Sequence, residues 1–287
     1  MAGHSPSVAA QEQAFELREQ LGQDVLHRVE RSMGVRLDRA TLGYGTQGMT
    51  AGFRTEAGTW VRVQWRRPWR IYAPAWAGLE CASVLRGVAK PDWFQTASLR
   101  DDAREVVWRA DEMELVSSPV INAAGVIATD PKLPDLWWAS LRKSLAALAE
   151  NDTDRVEVRQ EHLTLRIDQV FPGVVDTTVD EWVTAQADLH WDNLTAPDCY
   201  LLDWEDWGSA PRGLDAAVLW GVSLQVSTLA ARVQREFQDD LQTRSGKLAQ
   251  LLFCSNVIRV NAKRTDPSPL VEPAKQAADT LLAELRA

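Results

Sequence analysis

Cysteine and histidine are scarce in this sequence. Its 287 residues include only three cysteines, Cys81, Cys199 and Cys254, and four histidines. No two cysteines have the Cys-x-x-Cys spacing, so neither a disulfide framework nor a zinc site is expected. Sparse, unpaired thiols suit a reducing compartment, and we expect a cytoplasmic protein.

Long apolar runs and surplus positive charge are also missing. No run approaches the ~18 apolar residues of a membrane span, and the N-terminal segment lacks the basic and then apolar pattern of a signal peptide. We therefore expect no membrane partner and no export. The 31 basic residues against 40 acidic ones leave a net charge of −9. This balance disfavours nucleic acid as a partner and suits a cationic one.

Tyrosine and phenylalanine are few beside tryptophan, with three Tyr and six Phe against 13 Trp. Tryptophan fills protein cores and also stacks on ligand rings. Core packing is the preferred interpretation, and stacking on a ligand is the alternative. Length and a hydrophobic content of 45% predict a globular chain of one large domain or two lobes.

The first part of the chain predicts a small antiparallel sheet with helices. An amphipathic pattern predicts a helix over residues 8–31 that ends before Gly34. Five glycines then separate runs of β-forming residues, which is typical of strands joined by tight turns. We predict three strands within 41–64, a helix at 75–85, and strands at 93–99 and 105–113.

The second part of the sequence has mainly helical patterns, and we expect it to form a separate lobe. We place an N-terminal lobe at 1–118 and a C-terminal lobe at 119–287. Leu141, Leu145 and Leu148 share one face of a predicted helix. We also predict a short helix that is capped by Thr178 and Glu181 and runs through Val183. Longer helices are predicted within 215–252 and 273–285.

The stretch Gln186-Ala-Asp-Leu-His-Trp-Asp-Asn193, followed by Leu201-Leu-Asp-Trp-Glu205, carries the chemistry. Phosphoryl transfer depends on positioning and charge neutralisation, which two carboxylates and an amide close in sequence can supply. Asp188 can orient an acceptor hydroxyl and take its proton. Asn193 and Asp203 offer the oxygen ligands that Mg²⁺ prefers.

These two segments resemble the catalytic segment of the aminoglycoside phosphotransferase and choline kinase branch of protein-kinase-like enzymes. The family pattern there is H-G-D-L-H-x-x-N followed by I-D-W/F-E. The resemblance implies a two-lobed kinase-like α+β fold, ATP and Mg²⁺ as cofactors, Asp188 as the catalytic aspartate, and Asn193 and Asp203 as Mg²⁺ ligands. It also implies that Asp215 braces the catalytic loop.

The first lobe agrees with this resemblance. A glycine-rich hairpin at 43–48, with Gly45, Gln47 and Gly48, can bring backbone N–H groups onto phosphates. Val61-Arg62-Val63 resembles the family strand whose cation contacts the α- and β-phosphates. The resemblance implies that role for Arg62, with Glu80 as its carboxylate partner.

Two positions depart from the family pattern, and the roles of several other residues stay open. Gln186-Ala187 stands where the family has His-Gly, and Arg62 stands where it usually has Lys. His190 is interpreted as a scaffold residue and Asp192 as a solvated charge. A set of acidic residues could line an acceptor pocket or could be ordinary charged surface: Glu205, Asp206, Glu236, Asp239 and Asp240.

The function that follows is ATP-dependent transfer of a phosphoryl group to a small-molecule hydroxyl acceptor, with no obligate protein partner. Acidic charge and the resemblance favour an antibiotic acceptor, an aminoglycoside or another cationic natural product, and hence resistance by modification. A kinase of another metabolite or of a nucleoside-type antibiotic is one alternative. A pseudokinase that binds nucleotide without transferring phosphate is the other.

Overall fold

The computed structural model of the protein describes residues 15–45, 48–71, 74–123 and 126–286. The chain folds into two compact units. The first comprises Met1–Ser83 and Pro91–Leu115, and the second comprises Val84–Lys90 and Val116–Ala287. The predicted lobes at 1–118 and 119–287 differ from these units mainly in the assignment of the short segment Val84–Lys90.

The leading helix of the first unit is broken in two. Helix α1 spans Leu17–Gln20 and α2 spans Gln23–Met33. The break falls at Gly22, whose extended backbone (φ −84°, ψ 172°) caps α2. Gly34 ends α2 in the left-handed conformation (φ 70°), as the sequence predicts, because glycine adopts it without a Cβ clash. Residues 8–14 of the predicted helix lie outside the described residues.

A five-stranded antiparallel sheet forms the rest of the first unit, in the order β1-β2-β3-β5-β4. All five predicted strands are confirmed, with small shifts at their ends. Gly58 (φ 82°) closes the β2–β3 turn by donating its N–H to Thr55 O at 3.0 Å. The strands are β1 (Leu37–Tyr44), β2 (Thr50–Thr55), β3 (Thr59–Arg66), β4 (Trp93–Asp101) and β5 (Val106–Glu114).

One face of this sheet builds the core of the first unit. Val61, Val63 and Trp65 alternate along β3 and are buried, whereas Arg62 lies on the opposite face, as the period of a strand requires. Trp65 and Trp108 are fully buried. Core packing is therefore confirmed as the role of these two tryptophans.

The predicted helix at 75–85 is confirmed in place, but it is not one continuous α-helix. The segment forms a 3-10 turn at Pro74–Ala77, a single α-turn α3 at Gly78–Cys81, and a second 3-10 turn at Ala82–Val84. Its buried side chains, Trp76, Leu79 and Ala82, recur every third residue. That period matches the three residues per turn of a 3-10 helix, and Gly78 further weakens a continuous α-helix.

The second unit is mainly helical, with one two-stranded ladder. The predicted helix with Leu141 is confirmed, and the helical pattern predicted over 215–252 is confirmed as four helices. No helix among the described residues is long and apolar enough to span a membrane. The helices are α4 (Asp135–Ala149), α5 (Gln160–Asp168), α6 (Leu214–Val222), α7 (Ser227–Glu236), α8 (Gln238–Leu241), α9 (Arg244–Asn261) and α10 (Val271–Arg286).

The predicted short helix capped by Thr178 is wrong. Strand β6 (Trp182–Ala185) occupies that place and pairs antiparallel with β7 (Gly208–Pro211). Thr178 does not cap, because its hydroxyl and its N–H both bond the Asp176 carboxylate. Glu181 instead donates its N–H to Ser245 Oγ at 3.0 Å. Long-range pairing thus overrides the local capping pattern.

Candidate active site

The loop that carries the sequence motif leaves the end of β6 and is fixed by a buried glutamine. The Gln186 side chain donates to the main-chain oxygens of Leu202 and Asp203, at 3.0 and 2.8 Å. Its Oε1 accepts the Asp188 N–H at 2.9 Å. One amide therefore joins the two halves of the motif and also sets the backbone of Asp188.

Asp215, at the start of α6, braces the same loop. Its two carboxylate oxygens accept the N–H groups of Gln186 (2.9 Å) and Ala187 (2.7 Å). The pKa of Asp215 is raised to about 6, mainly by burial and in addition by nearby Asp188, while the two backbone donors act in the opposite direction. This geometry gives Asp215 the role expected from the sequence, which is to brace the loop. The brace also holds Ala187 at φ 72°, a strained value for a residue with a Cβ.

Two side chains of the loop approach the Asp188 carboxylate, one at each oxygen. His190 Nε2 lies 3.1 Å from Oδ1, and Asn193 Nδ2 lies 3.3 Å from Oδ2. Asn193 Nδ2 also donates to the main-chain oxygen of Asp188 at 2.8 Å. Burial lowers the pKa of His190, but the bond and charge of Asp188 outweigh it and the net pKa is raised.

The backbone segments that carry the predicted metal ligands are hydrogen-bonded to each other. Leu202, the residue before Asp203, donates its N–H to Asn193 O at 2.8 Å. Because the Asn193 amide nitrogen is used by Asp188, its Oδ1 is left over, and this oxygen accepts no hydrogen bond within the described part of the chain. An amide oxygen beside a carboxylate fits Mg²⁺, which usually takes few protein ligands and completes its shell with water and phosphate. No cluster of three or more His, Cys, Asp or Glu that could hold a metal occurs among the described residues.

Trp191 anchors the loop to the helical core. It is fully buried, and its Nε1 donates to Ser223 Oγ at 2.9 Å. Its ring lies 6.2 Å from that of Trp137 and 6.1 Å from that of Trp138. Trp204 and Trp207 are buried as well. Core packing is therefore confirmed for all three tryptophans near the motif.

Glu157 joins the acidic groups around Asp188, and sequence reasoning missed it. The segment before α5 lies along β7, because Glu157 donates its N–H to Ser209 O at 3.1 Å. Desolvation, Asp206 and Asp188 raise the pKa of the Glu157 carboxyl to about 7, and Arg155 partly offsets them. No local motif marks Glu157, since a long-range contact brings it to the site.

Two of the other acidic candidates are engaged elsewhere. Glu236 forms ion pairs with Arg142 and Arg232. Asp240 pairs with Arg212 at 2.8 Å. These contacts favour the charged-surface interpretation for both residues.

The first unit holds the predicted phosphate-binding residues. Gly48 (φ 67°) donates its N–H to Gly45 O at 2.8 Å, and a Cβ at Gly45 would collide with Thr50 Oγ1. The hairpin thus needs glycine at both places. Gln47 lies outside the described residues.

The carboxylate of Glu80 binds a cation that the sequence did not suggest. Arg109 on β5 reaches Glu80 Oε2 at 3.0 Å and also forms two 2.8 Å bonds to Asp111. Arg62 stands opposite Asp111 in the β3–β5 register, on the same face of the sheet. The pairing of Glu80 with Arg62 stays a prediction.

Neither a scan of protein-family models nor a search of curated sequences finds a match to this chain. Solved structures do match. The amicoumacin kinase hAmiN, in complex with AMP-PNP and Ca²⁺, superposes with a TM-score of 0.60 at 10% identity, over 97% of this chain and 96% of its own. Macrolide 2'-phosphotransferase MphH from Brachybacterium faecium gives 0.53 at 16%, over 90% and 98%. Aminoglycoside phosphotransferase APH(4)-Ia gives 0.56 at 8%, over 91% and 97%. The chain has the aminoglycoside phosphotransferase fold.

The aminoglycoside phosphotransferase fold confirms the kinase-like α+β class expected from the motif. It covers both units, since each match extends over at least 90% of the chain. A fold of this kind hosts a reaction but does not choose the acceptor, so function has to be argued from the side chains it carries.

Proposed function

We propose that this protein is an ATP-dependent phosphotransferase that acts on a hydroxyl group of an antibiotic. The observation that carries the proposal is the braced loop, in which Gln186 and Asp215 hold Asp188, Asn193 and Asp203 together. Matches to kinases of amicoumacin, macrolides and aminoglycosides support an antibiotic acceptor.

The proposed roles follow from the chemistry of each group. The acceptor oxygen attacks the γ-phosphorus of ATP, the bond to the ADP oxygen breaks, and the acceptor proton passes to Asp188. Asn193 and Asp203 hold Mg²⁺, which neutralises charge on the phosphates when it is bound. Arg62 and the backbone of the glycine hairpin secure the phosphates that are not transferred. This assigns nucleotide binding to the lobe at 1–118 and catalysis to the lobe at 119–287.

The acceptor that suits the site best carries positive charge. Glu157 interacts electrostatically with Asp206 and with Asp188, so a cationic group beside the reacting hydroxyl would be stabilised there. An aminoglycoside or another amine-bearing natural product meets this requirement. A reducing cytoplasm, where such antibiotics and ATP meet, also suits the three free thiols.

Nucleotide binding is the first test, because it does not require the acceptor. A ligand that binds only the folded state stabilises it by RT ln(1 + [L]/Kd), about 2.7 kcal/mol at 100 times Kd. We expect ATP with Mg²⁺ to raise Tm by several degrees and each alone to raise it less. Consumption of ATP in the presence of single antibiotics, aminoglycosides first, then identifies the acceptor. Absence of any Tm shift with ATP or GTP would contradict the proposal and favour a role without nucleotide.

Glu157 predicts a pH dependence of acceptor binding. Because its pKa is raised to about 7, the carboxyl is negative at pH 8 and mostly neutral at pH 6. A cationic acceptor is attracted to the charged form, so its KM should rise as pH falls from 8 to 6, about two- to five-fold for a partly exposed ion pair. Glu157→Gln should show the higher KM at both pH values.

The matched control for this experiment is Glu161→Gln. It removes a carboxylate from the exposed first turn of α5 and should keep the wild-type pH dependence. If Glu157→Gln retains the full change of KM between pH 6 and pH 8, Glu157 does not bind the acceptor.

A further inference from the structure

The imidazole of His190 does more than fill space in the loop. Its Nε2 lies 3.1 Å from Asp188 Oδ1, while Asn193 Nδ2 lies 3.3 Å from the other carboxylate oxygen. A carboxylate with one side-chain nitrogen within 3.3 Å of each oxygen is restrained against rotation about its last side-chain bond. Each oxygen still keeps a lone pair, so the restrained carboxylate can accept a further proton.

The backbone fixes where the imidazole stands. His190 donates its N–H to Asp188 O at 2.9 Å and accepts the Asn193 N–H at 3.0 Å. The next residue, Trp191, is buried among aromatic rings. The backbone of His190 is thus held in a hydrogen-bonded turn, which places its ring beside Asp188.

Packing does not explain the imidazole. About 39% of the His190 side chain is exposed, and within the described residues Asp188 is the only side chain with which its ring makes a recorded polar contact. Removing the ring would leave the buried anchor at Trp191 and the brace at Asp215 in place. The contact therefore serves Asp188 rather than the fold.

We propose that His190 is a positioning residue, which holds the Asp188 carboxylate in the orientation that receives the acceptor proton. This proposal rests on the proposed function, since it assigns a role in phosphoryl transfer. A small misplacement of a catalytic group can cost about 100-fold in rate. The loss of His190 should therefore appear in kcat and not in nucleotide affinity.

The test compares His190→Ala with His190→Gln. We expect His190→Ala to lower kcat about 10- to 100-fold with KM for ATP unchanged. His190→Gln should recover most of this loss, because its side-chain amide can donate to Asp188 Oδ1. The matched control is His162→Gln on the exposed surface of α5, which should retain wild-type kcat. Wild-type kcat in His190→Ala would overturn the proposal, as would equal losses of kcat and Tm in both His190 variants.

A second measurement separates this proposal from the proposed function. The chain has only four histidines, so His190→Gln identifies the ¹⁵N imidazole signals of His190 by their loss. In the wild type we expect an Nε2–H signal of a hydrogen-bonded ring that changes in Asp188→Ala. If no acceptor is phosphorylated but this signal depends on Asp188, the proposed function fails and the contact stands. If the signal is the same in both proteins, the positioning role is excluded.

Discussion

Asp188→Asn is expected to lower kcat by about 10²- to 10⁴-fold, the usual contribution of a positioned general base. The amide keeps the size of the carboxylate and can still accept the His190 bond, but it cannot take the acceptor proton. Nucleotide binding should persist, because Asp188 is not assigned to ATP or Mg²⁺. Single-turnover transfer to the acceptor and Tm shifts with MgATP measure the two effects separately.

Asp192→Asn is the matched control for this experiment. It removes one negative charge from the same loop, four residues further on, and Asp192 is interpreted as a solvated charge. Its kcat should stay within a few-fold of the wild type. Equal kcat in Asp188→Asn and the wild type would remove Asp188 from the catalytic role.

The parts of the fold that the sequence predicts are those in which local pattern and long-range packing agree. Glycine turns and alternating residues around Val61 and Val63 give the strands of the first unit, and Gly34 marks the end of α2. The failures come where packing overrides local preference. Thr178 has capping spacing, but the pairing of Trp182 with Pro211 makes the segment a strand.

The site divides in the same way. Asp188, Asn193 and Asp203 can be proposed from the sequence because their spacing along the chain is short. The contact of Glu157 with Ser209 in the second unit and the contact of Arg109 with Glu80 in the first could not be proposed, because each joins residues distant in sequence. Single-sequence patterns carry no information on such contacts.

Gln186 shows why a departure from the family motif need not abolish function. Its amide makes three hydrogen bonds, two as donor and one as acceptor. An imidazole has only two ring nitrogens and could not form all three. The glutamine therefore fixes the loop at least as firmly as the usual histidine could. This weakens the pseudokinase alternative, which was motivated by Gln186-Ala187.

Asp203→Asn is expected to weaken the Mg²⁺-dependent part of ATP binding by at least about 10- to 100-fold, the range found even for losses outside the direct ligands of a metal. The substitution is compatible with the fold. Asp203 has φ 55°, a value that asparagine tolerates well, and Gln186 bonds its main-chain oxygen, which the variant keeps. Affinity for ATP without Mg²⁺ should therefore change little.

Calorimetric titration of the protein with ATP, in the presence and in the absence of Mg²⁺, measures this effect directly. Asp206→Asn, three residues further on, also removes one negative charge and should preserve the Mg²⁺ dependence. Asp206 interacts electrostatically with Glu157 and is not assigned to the metal. The decisive quantity is the ratio of the two ATP affinities in each protein. A ratio in Asp203→Asn equal to that of the wild type would exclude Asp203 as a metal ligand. Asp206→Asn controls for the loss of charge, because a change in net charge alone would alter the ratio in both variants alike.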